Sequence, residues 1–166
     1  MDIFLLQMAG APGSGKSALA RVIGARTGAV VLDKDVLKTA ALEAGVQDDQ
    51  RAGGVAYEAI FSLADHLLGQ DLSVVLDSPS FYDSIPAKGA AIASARHVPY
   101  YFIECICPED EELTRRLQER PRMRSQPNEL LSSERQTFGP PGPYLQVDTT
   151  QPLERCLALA LDYLVG

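Results

Sequence analysis

No apolar run in this chain of 166 residues approaches the length needed to cross a bilayer, about 20 residues for a helix. The first residues also lack a basic region followed by the apolar core of a secretory leader. Both absences predict a cytoplasmic protein with no membrane attachment. Cationic charge is in short supply too: 15 lysines and arginines stand against 22 acidic residues, a net charge of −7. Such a chain has no broad basic face for a nucleic-acid backbone or an anionic membrane, so nucleic acid is not expected as a partner. Cysteine is limited to three residues, which cannot all pair within one chain and which suit a reducing compartment. Cys105 and Cys107 lie two apart in an apolar run, where a strand would put them on one face as small buried hydrophobes; a metal or redox role would need more ligands at suitable spacing.

What is present is the composition of one globular domain spanning residues 1–166: 46% hydrophobic and 22% charged residues exclude both disorder and a fibrous repeat. Its most informative stretch is Gly10-Ala11-Pro12-Gly13-Ser14-Gly15-Lys16-Ser17, which fills every fixed position of the Walker A pattern. An apolar run precedes it and a helical pattern follows, the strand-loop-helix context the motif requires. Glycines let the backbone wrap a phosphate so that successive N–H groups point inward, and the helix that starts there adds its positive end. The residues from Gly10 through Ser17, with Ala18 behind them, form the expected nucleotide-binding set. Lys16 reaches the β- and γ-phosphates and the Ser17 hydroxyl takes one position on Mg²⁺.

After a helix over about 16–27, Gly28 is the expected C-terminal cap, and Ala29 to Leu32 read as a buried strand running into Asp33-Lys34-Asp35. A helix to about Ala44 ends at Gly45. Ala56, Ile60, Leu63 and Leu67 mark a longer helix closing near Gly69, whose positions Tyr57, Glu58 and Asp65 are candidates to reach a cleft. Strands follow at Leu72 to Asp77, Tyr100 to Ile106 and Tyr144 to Asp148, with a helix over about 85–96 between the first two. Pro108 suits the start of the next helix, and Glu109 to Glu112 load its first turn with negative charge, which the helix dipole explains without a metal. Arginines then cluster at 115, 116, 120, 122 and 124, before a short helix expected around Glu129 to Gln136 and a final helix carrying Leu153, Leu157, Leu161 and Leu164.

Strands alternating with helices predict an α/β fold, an open parallel sheet covered on both faces, with its ligand beyond the C-terminal strand ends. Those ends carry Gly10, Asp33 with Asp35, Asp77, Cys107 and Asp148. Phosphoryl transfer needs a group to orient or deprotonate an acceptor hydroxyl and cations to follow the moving charge. Asp33 and Asp35 offer the first. Arg116 and Arg120, one turn apart on a helix, offer the second, against the alternative of surface pairing with Glu112 or Glu119. The Asn-Lys-x-Asp of GTPases is absent.

Gly10 to Ser17, Leu32-Asp33-Lys34-Asp35-Val36-Leu37-Lys38, Val74 to Asp77, Arg116 to Arg120 and Val147-Asp148-Thr149-Thr150 together resemble the small P-loop kinases of the AAA_33/zeta-toxin-like type. These are relatives of polynucleotide 5′-kinases and chloramphenicol phosphotransferase. The resemblance implies a P-loop NTPase three-layer sandwich whose five-stranded parallel sheet has the order 2-3-1-4-5. It also implies ATP with Mg²⁺ and an arginine-bearing lid over approximately 116–138. In that group an Asp after the second strand, followed three residues later by Arg, is base and acceptor anchor. Asp35 matches the Asp, and Lys38 stands where Arg is common, a point charge without a bidentate fork. The stretch also looks like the Asp-x-Asp of shikimate kinases and the Leu-Asp-Gly-Asp of adenylylsulfate kinases, which leaves Asp33 open as the base. Asp77 resembles the third-strand Asp that serves Mg²⁺ or the acceptor, Lys88 is the nearest match to an arginine of the following helix, and Asp148 and Thr149 fall near the adenine. The expectation is an ATP-dependent kinase, monomer or homodimer, acting on a small-molecule hydroxyl acceptor held by Asp33, Asp35, Lys38 and Asp77. The alternatives are a polynucleotide or nucleoside 5′-kinase and a regulatory ATPase without an acceptor.

Overall fold

Why β1 (Leu5–Ala9) is apolar at nearly every position becomes clear from its place: it is the central strand of five. The computed structural model describes residues 2–126 and 136–166. Along the chain it continues with α1 (Lys16–Thr27), β2 (Val30–Asp33), α2 (Lys34–Glu43), α3 (Asp49–Leu68), β3 (Val74–Asp77), α4 (Ser84–Arg96), β4 (Tyr100–Ile106), α5 (Asp110–Glu119), β5 (Leu145–Asp148) and α6 (Leu153–Val165). The strands are all parallel, in the order β2-β3-β1-β4-β5. Helices cover both faces, so the strands read as continuous hydrophobic runs rather than alternating ones.

Side chains alternate across the sheet. Leu6, Met8, Val75, Ile103 and Cys105 face α1 and α6, where Leu19, Ile23, Cys156, Ala160 and Leu164 complete one core. Leu5, Val74 and Leu76 face the other way, onto Ile60, Phe61, Ala64 and Leu68 of α3 and Ile85 and Ala93 of α4. Cys105 is therefore core, as its spacing suggests, whereas Cys107 lies just past β4 and is half-buried.

Several boundaries differ from expectation. β2 runs one residue later and takes in Asp33, because Asp33 pairs in register with Asp77 on β3. α5 begins two residues after Pro108, with Glu109 as its N-cap. The apolar stripe of α3 is Ala52, Ala56, Ile60, Ala64 and Leu68, while Leu63 is exposed. The buried stripe of α6 is Cys156, Ala160 and Leu164, with Leu153 exposed. In both helices a small residue lets the helix axis approach the sheet, and the larger leucine beside it turns outward. The helix expected around Glu129 to Gln136 lies, save for Gln136 itself, outside the described residues.

Candidate active site

A cleft of about 1170 Å³ opens beyond the C-terminal ends of β1, β2 and β3. The loop after β1 forms one end of it. Gly10 leaves the strand at φ +136°, and a Cβ there would stand 2.4 Å from the Cys105 carbonyl oxygen, so only glycine lets the loop turn against β4. Gly13 and Gly15 also take positive φ, at 82° and 84°. The Ser14 N–H donates to the Ala11 carbonyl at 3.0 Å, closing a turn, and the buried Lys16 Nζ donates to the same carbonyl at 3.2 Å.

Pro12, Gly13, Gly15, Lys16, Ser17 and Ala18 border the cleft, as expected of a phosphate cradle. Gly10, Ala11 and Ser14 face a smaller cavity of about 270 Å³ on the other side of the loop, with Glu104 and Cys107. Asp148 and Thr149 border neither cavity. Asp148 accepts from the Thr150 N–H at 2.9 Å and hydroxyl at 2.7 Å, which shapes the turn after β5. The Thr149 hydroxyl donates to the Ser14 carbonyl at 2.8 Å and so braces the loop from behind.

Opposite the loop, the β2/β3 register brings Asp33 and Asp77 side by side, and Asp35 follows one residue into α2. Asp33 caps α2, its carboxylate accepting from the Asp35 N–H at 2.8 Å. Burial raises its pKa, the Asp35 N–H opposes the rise, and the Asp35 charge adds to it. Asp77 is 4% exposed, and burial pushes its carboxyl up to about 6. The Lys16 charge and a hydrogen bond with the Ser17 hydroxyl hold it below the value burial alone would give, while Asp33 and Asp35 add to the rise. Three acids and Lys16 thus form one coupled group.

Asp77 predicts a pH-dependent stability. The folded protein keeps this carboxyl protonated to higher pH than the unfolded chain, whose ordinary value is 3.8. Stability therefore falls as pH rises from that value through about 6, and the full penalty stands above it, on the order of 3 kcal/mol. Asp77→Asn is expected to be more stable than the parent at pH 8 by up to about 3 kcal/mol, with the gain vanishing near pH 4. Urea unfolding at the two pH values checks this; an equal gain at both would remove burial of the charge as its cause.

Lys34, absent from the sequence-derived site, is buried at the cleft wall, 3.2 Å from Asp35 Oδ1 and 5.4 Å from the Tyr57 ring centre. Gln126 Nε2 donates to Asp35 Oδ2 at 3.2 Å, and the Ser125 hydroxyl donates to the Asp35 carbonyl at 2.9 Å. The chain after α5 therefore crosses the cleft and docks on α2. Those contacts join residues about 90 apart, which no local pattern could reveal.

Of the two arginines singled out, both border the cleft. Arg116 gives its Nε to Glu112 at 2.6 Å and its two Nη groups to Thr149, at 3.1 Å to the hydroxyl and 2.9 Å to the carbonyl. It therefore ties α5 to the turn that braces the phosphate loop. Arg115 pairs with Glu112 and Glu119 at the surface. Lys38 borders the cleft but pairs with Asp49 at 2.7 Å. Lys88 pairs with Glu58 at 2.7 Å and Arg96 with Asp65 at 2.6 Å, so Lys88, Glu58 and Asp65 lie away from the cleft, and only Tyr57 of the α3 candidates lines it.

Ser17 and Asp77 offer oxygen donors beside the phosphate loop, the partial set that suits Mg²⁺ when phosphates and water complete its shell. Among the described residues no cluster of His, Cys, Asp or Glu forms a self-contained metal site, and no helix is long and apolar enough to cross a membrane.

The AAA_33 family model, an AAA domain, matches residues 5–141. No curated protein matches the chain. Among solved structures, the adenylylsulfate (APS) kinase of Mycobacterium tuberculosis in complex with AMPPNP and APS superposes with a TM-score of 0.75 at 17% identity, covering 99% of each chain. A sugar kinase from Janibacter sp. HTCC2649 gives 0.72 at 18% identity over 99% of this chain and 95% of that one. A gluconokinase from Sinorhizobium meliloti 1021 gives 0.67 at 18% identity, over 99% and 91%. At these identities the likeness establishes the shared fold.

Proposed function

The chain belongs to the AAA_33 family, and from that premise we propose that it is an ATP-dependent kinase that transfers the γ-phosphoryl group to a hydroxyl of a small molecule. The observation that carries this reading is the gathering of Asp33, Asp35 and Asp77 opposite Lys16 and the phosphate loop, in a cleft with room beyond a triphosphate. A nucleotide switch has no need for acids there.

In this reading the loop amides and Lys16 hold the β- and γ-phosphates. Mg²⁺ held by Ser17 and Asp77 would neutralise charge on the phosphate oxygens. Asp35 is the better placed base, since the Asp33 carboxylate is engaged in capping α2 while Asp35 faces the cleft from Lys34 and Gln126. It takes the proton of the acceptor hydroxyl as that oxygen bonds to the γ-phosphorus and the bond to the β-bridging oxygen breaks, its electron pair leaving with ADP. Arg120, and Arg116 through its hold on Thr149, place positive charge at the same end of the cleft, within the segment 116–138 that we assign as the lid.

Acceptor-dependent ADP release is the test. ATP and Mg²⁺ alone should give only slow hydrolysis, and a hydroxyl compound of the right shape should raise turnover at least about tenfold. A rate that no compound in a broad panel of nucleosides, sugars and antibiotics changes would favour a regulatory ATPase instead.

A further inference from the structure

Glycine inside a helix weakens it, and a fold usually gains close packing in return. Two helical glycines here follow that rule. A Cβ on Gly24 of α1 would stand 2.4 Å from Val31 Cγ2, and one on Gly89 of α4 would stand 2.2 Å from Gln7 Oε1. Gly53 and Gly54 of α3 do not: a Cβ on either would meet nothing within 4 Å among the described residues. Both border the cleft, on the side away from the phosphate loop. The space their missing side chains leave is cleft space.

One turn along α3 from Gly53, Tyr57 forms a rigid wall. Its hydroxyl donates to the Pro79 carbonyl at 2.7 Å, and its ring stacks on Phe61 at 6.5 Å between centres. Phe81 and Tyr82 line the same end of the cleft, and Tyr82 is 58% exposed. Aromatic walls over a flat backbone surface suit a ring, whereas an acyclic or cyclic polyol needs a dense set of polar partners to replace its water. The local cations are answered within the protein: Lys38 by Asp49 and Lys34 by Asp35.

We propose that the acceptor is an uncharged, ring-bearing alcohol whose flat face lies on Gly53 and Gly54 against the Tyr57, Phe81 and Tyr82 rings, with its hydroxyl toward Asp35. This rests on the kinase reading above and narrows its acceptor. Gly53 and Gly54 then set specificity by shape.

The test uses the full-length protein with ATP and Mg²⁺ and two acceptor sets: adenosine, thymidine and 4-nitrobenzyl alcohol against D-gluconate, D-glucose and glycerol. At least one ring-bearing alcohol should stimulate ADP release about tenfold or more above every polyol, and the nucleosides against 4-nitrobenzyl alcohol separate heterocyclic from simple aromatic acceptors. Gly53→Leu should raise KM for that acceptor about tenfold or more, with a smaller change in kcat, while nucleotide Kd holds and Tm is not lowered, since leucine favours the helix and meets open space. Gly53→Ala should do the same to a lesser degree. Stimulation by polyols alone would overturn the ring assignment and leave the kinase reading standing. Silence from both sets would overturn the two together, and an unchanged KM in Gly53→Leu would overturn the glycine surface.

Discussion

Lys16→Ala is expected to lower kcat/KM by about a thousandfold or more and to weaken ATP binding at the same time. Lys16 is buried at the start of α1, with its ammonium turned back onto the Ala11 carbonyl inside the phosphate loop. No other lysine stands within that loop, and a cation there acts in a site where water screens little. The loss also reaches the acids. Lys16 is the charge that holds Asp77 and Asp33 down against burial, so its removal should drive both carboxyls further up. In steady-state kinetics the variant should show the kcat/KM loss together with an acid limb displaced to higher pH. A variant that bound and turned over ATP within about threefold of the parent would show that the loop cradles something other than a triphosphate.

Asp35→Asn should separate binding from transfer: kcat should fall by about a hundredfold to ten-thousandfold, while ATP Kd measured by calorimetry stays within about twofold. Asparagine keeps the size of the side chain and can still accept from Gln126, so the fold and the strap across the cleft should survive. The companion Asp33→Asn retains a capable N-cap for α2 and should lose less. If the two losses were reversed, Asp33 would be the base and Asp35 its positioning neighbour.

The phosphate loop, α1 and β4 were legible in the sequence because each signal is local: a motif with fixed spacing, a glycine cap, an unbroken apolar run. The strand order was legible only through the resemblance, since periodicity says nothing about which strands pair. Leucines misled the reading of α3 and α6. Burial there follows alanine and cysteine, because small side chains decide how near a helix can come to a sheet, and a pattern weighted by hydrophobicity favours the bulkier neighbour. In the site, the loop residues and the three acids were anticipated. Lys34, Ser125 and Gln126 were not. Lysine beside an acid reads as surface, and nothing local marks Ser125 or Gln126 as partners of a residue about 90 positions earlier. Arg116 carried two readings, phosphate clamp and surface pair, and its guanidinium holds Glu112 and the Thr149 turn together.

The position of β1 between β3 and β4 sets an order on synthesis. A chain that has left the ribosome only through α3 already carries Gly10 to Ser17, yet the strand feeding that loop has neither neighbour, because β2 reaches it only through β3 at residues 74–77 and β4 arrives at 100–106. The earliest part of the sequence to emerge is among the last to become competent. Nucleotide binding by a nascent or truncated chain therefore reports that at least four strands have assembled, which makes a labelled ATP analogue a gauge of folding as well as of activity.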